Sequence, residues 1–155
     1  MPSATEMVYL LRVLGHGEIA VNMPPGTERP LYCTGVGKAY LGALPEQELD
    51  QLLGKLEMKP LTNQTITSAA KLKAHLKKFR SKGYFVYEGE FKPKVQCFAA
   101  PVFDSAGRPI ASLGVSGARQ DSNPRRNSDL GAIVVQKAHT LSRAIGFTGP
   151  LEQDL

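Results

Sequence analysis

Two apolar runs, Val95–Phe103 and Pro109–Ser116, flank the turn-forming quartet Asp104-Ser105-Ala106-Gly107. Runs of this length around such a turn read as a long antiparallel pair of strands. Two strands alone are marginal in water and must bury a face against further elements. A second informative segment, Leu31 to Leu49, places Gly35-Val36-Gly37 directly before a small-residue helix read as Val36–Leu44. A glycine loop opening a helix leaves backbone N–H groups without intrahelical partners, and that suits a small anion.

The other segments alternate between strand and helix without internal repeats. Met7–Leu14 and Glu18–Asn22 read as strands broken at Gly15-His16-Gly17, a hairpin turn. The proline-rich stretch Pro24–Pro30 reads as an irregular loop. A second helix begins at Pro45, where proline costs nothing, and turns Leu49, Leu52, Leu53 and Leu56 inward. Thr62–Ser68 is a polar connection. Lys71–Lys82 carries six basic and no acidic residues, with Leu72, His75, Leu76 and Phe79 at helical spacing. Gly83 ends that helix, and Tyr84–Tyr87 begins a strand. The last helix, Asn127–Ile145, has Leu130, Ile133, Val134, Ala138, Leu141 and Ile145 as its apolar stripe. Five or six mostly antiparallel strands with helices on their faces make an α+β sandwich.

Composition bounds the function. At 155 residues the chain reads as one domain, and its 42% hydrophobic share is that of a globular protein. No apolar run approaches the ~20 residues of a membrane span, and MPSATEM lacks the pattern of a signal peptide. A soluble cytoplasmic protein with no membrane partner is the expectation. Cys33 and Cys97 sit among apolar residues outside any CxxC pair and read as buried free thiols. The net charge of +5 is concentrated on the Lys71–Lys82 helix. A strand follows it, so no helix-turn-helix lies there, and the basic face reads as solvated surface. His16, His75 and His139 fall in no triad spacing, and no HExxH or paired CxxC occurs, so neither a metal, a cofactor nor an enzyme is expected.

The runs TGVGKAYLGALPEQEL, RSKGYFVYEGE and CFAAPVFDSAGRPIASLGVSG, followed by a helix ending SRAIGF, resemble the C-terminal effector-binding domain of IclR-type bacterial transcriptional regulators. The resemblance covers roughly Val8 to Phe147. It implies a fold related to GAF and PAS modules: a curved antiparallel sheet holding a pocket, with helices packed on its faces. It also implies a small organic acid as effector and a homodimer or homotetramer as the working assembly. Members usually carry an N-terminal winged helix-turn-helix ahead of this domain. That reader is absent from the sequence, so DNA is expected as a partner only through it.

The resemblance assigns the ligand's carboxylate to the amides of Gly35 and Val36, with Cys97 and Ser116 as polar pocket residues. Val95 lies two residues before Cys97 on the same strand face and forms an apolar wall. Tyr87 stands where many relatives have an aspartate, and Gly114 where a serine can occur. Both departures favour an aromatic or longer carboxylate over a two- or three-carbon keto acid. Two other readings stay open: a dimerisation module with a vestigial pocket, and a GAF-like reductase using Cys97, whose apolar strand disfavours a thiolate.

Overall fold

The computed structural model describes residues 1–15, 23–118 and 124–150, without the side chains of 124–126. Six strands and four helices appear among them: β1 (Pro2–Ser3), β2 (Glu6–Val8), β3 (Glu28–Pro30), α1 (Gly35–Ala43), α2 (Glu46–Leu53), α3 (Ala69–Arg80), β4 (Phe85–Glu88), β5 (Val95–Phe103), β6 (Pro109–Ala118) and α4 (Pro124–Ala144). The architecture is α+β and every pairing is antiparallel, as expected. Among the described residues the ladder falls into two three-stranded sheets, β1-β2-β3 and β4-β5-β6.

The β5–β6 hairpin forms where its turn chemistry puts it. Asp104 Oδ1 accepts the N–H groups of Ala106 and Arg108, both at 2.9 Å, and Gly107 turns the chain at φ +75°. Strand alternation then sends β5 side chains to opposite sides. Val95, Cys97 and Ala99 join a core with Leu41 of α1 and Leu72 and Leu76 of α3. Phe98, Ala100 and Val102 join a second core with Val134, Val135 and Ala138 of α4. The central strand is therefore covered on both faces, by α1 and by α4.

Two helices start on side-chain caps: for α1 Thr34 Oγ1 accepts from Gly37 N at 3.2 Å, and Ser68 caps α3. In α2, Leu49 and Leu53 are buried, and Leu52 and, just beyond the helix, Leu56 pack against the same core. The α4 stripe differs from its expected composition. Val134 and Ala138 are buried together with Val135 and Ser142, whereas Ile133, Leu141 and Ile145 are exposed. The buried row follows the side that meets β5, and one more apolar row is left facing outward.

The expected Met7–Leu14 strand is much shorter. Only Glu6–Val8 is strand: Tyr9 still exchanges hydrogen bonds with Thr27 and Gly26, but the backbone after it has no partner strand among the described residues. Leu10, Leu11, Val13 and Leu14 are exposed. The expected strand Glu18–Asn22 and most of the turn before it lie outside the described residues. No helix among the described residues is long and apolar enough to cross a membrane.

Candidate functional site

The loop from Pro30 to Thr34 delivers the start of α1 into the first core, where Leu31 and Cys33 have no exposed surface. Thr34 Oγ1 donates to Pro30 O at 3.0 Å and accepts from Gly37 N, which fixes the turn. The N–H groups of Gly35 and Val36 have no hydrogen-bond partner among the described residues. Gly35 is required by space: a Cβ there would lie 2.6 Å from Cys97 Sγ. The helix start and the centre of β5 are thus pressed together at one point.

A cavity of about 30 Å³ opens there. Five of the six expected site residues border it: Gly35, Tyr87, Val95, Cys97 and Ser116. The register explains this convergence, since Cys97 pairs with Tyr87 on one side and Ser116 on the other. Cross-strand partners project to the same face. Val36 does not border it. Its side chain packs toward Gly114, where a Cβ would meet Val36 Cγ1 at 3.0 Å, so glycine at 114 makes room for the helix start. The sequence reading missed Tyr9, Met23, Thr34, Phe91 and Lys92, which complete the lining. A threonine directly before a helix is the N-cap signal that could have found Thr34; the other four come from loops and strand ends whose approach no local pattern announces. A larger hollow, about 390 Å³, lies elsewhere against Tyr40, Pro45 and Ile110; the helix start beside it, that of α2, carries Glu46 and Glu48 in its first turn, which disfavour an anion there.

The model of the bacterial transcriptional regulator IclR C-terminal region matches residues 2–143. The chain belongs to this family. It is 32% identical over 136 residues to the HTH-type transcriptional regulator BhcR of Paracoccus denitrificans, covering 88% of this chain and 49% of that protein. It is 30% identical over 126 residues to the transcriptional repressor IclR of Escherichia coli, covering 81% and 46%. The crystal structure of the Thermotoga maritima IclR superposes with a TM-score of 0.89 at 33% identity, over 94% of this chain and 59% of that one. The chain spans about half the length of the curated relatives it matches.

Within this IclR C-terminal domain the cavity is electrostatically specific. Burial pushes the Cys97 thiol up to about 11, against the opposing pull of Ser116 and Lys38. At neutral pH it is a protonated thiol, able to hydrogen-bond but not poised as a nucleophile. Cys33 is pushed up to about 12, again by burial. Tyr87 is locked in place: its hydroxyl donates to Lys92 O at 3.0 Å and accepts from the N–H groups of Phe91 and Lys92. Tyr87 borders the cavity, and the Lys38 ammonium is 5.9 Å from its ring centre. Lys38 is fully buried and paired with Glu90, which is 4% exposed. Neither residue stood out in the sequence, where a lysine in a helix and a glutamate in a turn are ordinarily solvated.

Proposed function

We propose that this domain is the sensing module of an IclR-family transcriptional regulator and that its effector is a small carboxylate held at the start of α1. The observation that carries the reading is the unpartnered amide of Gly35 at a cavity that Cys97 and Ser116 also reach, with the unpartnered amide of Val36 next along the chain. A helix start with free N–H groups and a favourable dipole end stabilises an anion. The Ser116 hydroxyl and the Cys97 thiol are placed to meet the acid's other oxygens, while Val95, Tyr87 and Phe91 meet its body. The cavity holds roughly two water molecules, enough for a carboxylate head. An aromatic or longer body requires the walls to part, so the present volume favours the short acids more than the sequence did.

A sensor acts only if its ligand prefers one arrangement of the assembly. Dimers or tetramers that place the DNA-reading parts of the whole regulator supply that arrangement. The outward apolar row of Ile133 and Leu141 on α4 with Ile145 just after it, and the outer edge of β6, unpaired among the described residues, support association of copies.

A thermal-shift screen against keto acids, sugar acids and hydroxybenzoates, with uncharged analogues as controls, tests the reading. An acid at ~100 times its dissociation constant adds roughly 2.7 kcal/mol, a shift of several degrees. Stabilisation by one acid class and not by its amides is the expected result. A folded domain indifferent to every acid, yet dimeric in solution, would instead identify a pure dimerisation module.

A further inference from the structure

Lys38 lies three residues after Gly35 on α1, and its ammonium meets three acceptors. These are the Val86 carbonyl at 2.6 Å, the Glu90 carboxylate, and His75 Nε2 at 3.2 Å. Three donors are thereby matched when His75 is neutral with its proton on Nδ1; with the proton on Nε2 the ring would instead donate to Val86 O, 3.3 Å away. The acceptors come from β4, from the turn that follows it, and from α3. That turn is also a wall of the cavity, because Phe91 and Lys92 border it. It is held from outside as well: the other Glu90 oxygen accepts Glu88 N–H at 2.6 Å, and Thr65 Oγ1 donates to Glu90 O at 2.6 Å. One buried ammonium therefore ties the helix that presents Gly35 and Val36 to the turn that closes the cavity.

We infer that Lys38, Glu90 and His75 form a positioning triad for the effector pocket, and that protonation of His75 loosens it and weakens the hold on a carboxylate. The inference rests on the carboxylate reading above. A proton on Nε2 removes the third acceptor, competes with the ammonium for the Val86 carbonyl, which lies 3.3 Å from that nitrogen, and sets an imidazolium beside an ammonium, so one of them must move away. The charged groups facing His75 are Lys38 of α1, Glu90 of the turn and Lys78 of its own helix. Glu88 of β4 and Cys97 of β5 face Lys38. Burial first, and then Lys38, hold the His75 pKa below its ordinary value. The loosening therefore occurs on the acid side of about pH 6.5. None of the three borders the cavity; they act through the walls they join.

Cys97 supplies the probe, since its Sγ lies against Gly35. Its alkylation by iodoacetate, an anion, is compared with that by neutral iodoacetamide, and peptide masses separate Cys97 from Cys33. Both reagents need the thiolate, so the ratio of rates cancels the thiol's ionisation and reports anion selectivity. In the wild type the ratio should fall by at least about fivefold, the low end of ordinary coupling between sites, from about pH 7.5 to about pH 5.5 on either side of the histidine range. His75→Gln, whose amide oxygen accepts from Lys38 at any pH, should keep the high ratio at both. Glu90→Gln should lower it at both, and the His75→Gln arm decides alone if that variant does not fold. A wild-type ratio that exceeds that of free cysteine but stays flat, or rises in acid as bare positive charge would make it, overturns the triad and leaves the carboxylate pocket standing. A ratio no higher than that of free cysteine at either pH overturns both.

Discussion

On the α1 side of β5 the chain presents Val95, Cys97 and Ala99; on the α4 side it presents Phe98, Ala100 and Val102. The α4 side is apolar apart from the Ser142 hydroxyl, which accepts from Phe103 N–H and donates to Ala138 O, and it holds Tyr84, Phe98 and Phe79 in a run of tilted rings 6.2 and 6.4 Å apart. The α1 side buries a lysine, a glutamate and two thiols around a cavity, and leaves two amides unpartnered. Charges and unpaired donors are costly inside a protein, whereas apolar burial stabilises. The second face thus holds the domain together, and the first carries groups that stability alone would not retain.

The largest effects should separate the two faces. Phe98→Ala removes a ring that is 3% exposed and should cost about 3 to 5 kcal/mol, read as a fall in Tm. The folded fraction should keep its affinity for a carboxylate that stabilises the wild type. On the other face, Lys38→Met leaves Glu90 buried without its cation and should cost about 3 to 5 kcal/mol. The double variant Lys38→Met, Glu90→Leu should recover much of that in urea unfolding, while effector affinity stays lost. If the double variant is no more stable than Lys38→Met alone, the pair is not the dominant buried charge on that face.

A medium effect tests the point where α1 meets β5. Gly35→Ala puts a methyl 2.6 Å from Cys97 Sγ and 3.0 Å from its Cβ, and the strand has no room to retreat. Overpacking of this kind costs about 1 to 3 kcal/mol, and the cavity should close. Isothermal titration should then find no binding of an acid that binds the wild type. Retained affinity would move the anion away from this helix start.

Sequence alone exposed the parts of the fold in which local chemistry and long-range partner agree. The β5–β6 hairpin was legible because Asp104 and Gly107 specify its turn while the flanking apolar runs specify its strands. Five pocket-lining residues were legible once a family resemblance supplied their roles. The run Met7–Leu14 has strand composition throughout, yet the ladder stops at Val8, because strand length is decided by the partner and not by the run. Lys38 and Glu90 are 52 residues apart, and nothing in either neighbourhood marks a buried charge. Burial of α1 by α3 and β5 creates that pair, and only the assembled fold displays it.

The smallest effects lie on β6, where two serines on one strand face sharpen the same contrast. Ser112 and Ser116 alternate with Gly114 toward the α1 side, opposite Pro101 and Cys97. Ser112 Oγ is buried without a hydrogen-bond partner among the described residues, and Ser116 is exposed at the cavity. Removing an unsatisfied hydroxyl relieves a desolvation cost, so Ser112→Ala should leave stability unchanged or raise it slightly, with effector affinity intact. Ser116→Ala should change stability by less than about 0.5 kcal/mol. It should nevertheless weaken carboxylate binding by about 0.5 to 1.5 kcal/mol, one hydrogen bond's worth. Equal affinities for the two variants would mean that the ligand does not reach β6, and the recognising groups would then be confined to the start of α1.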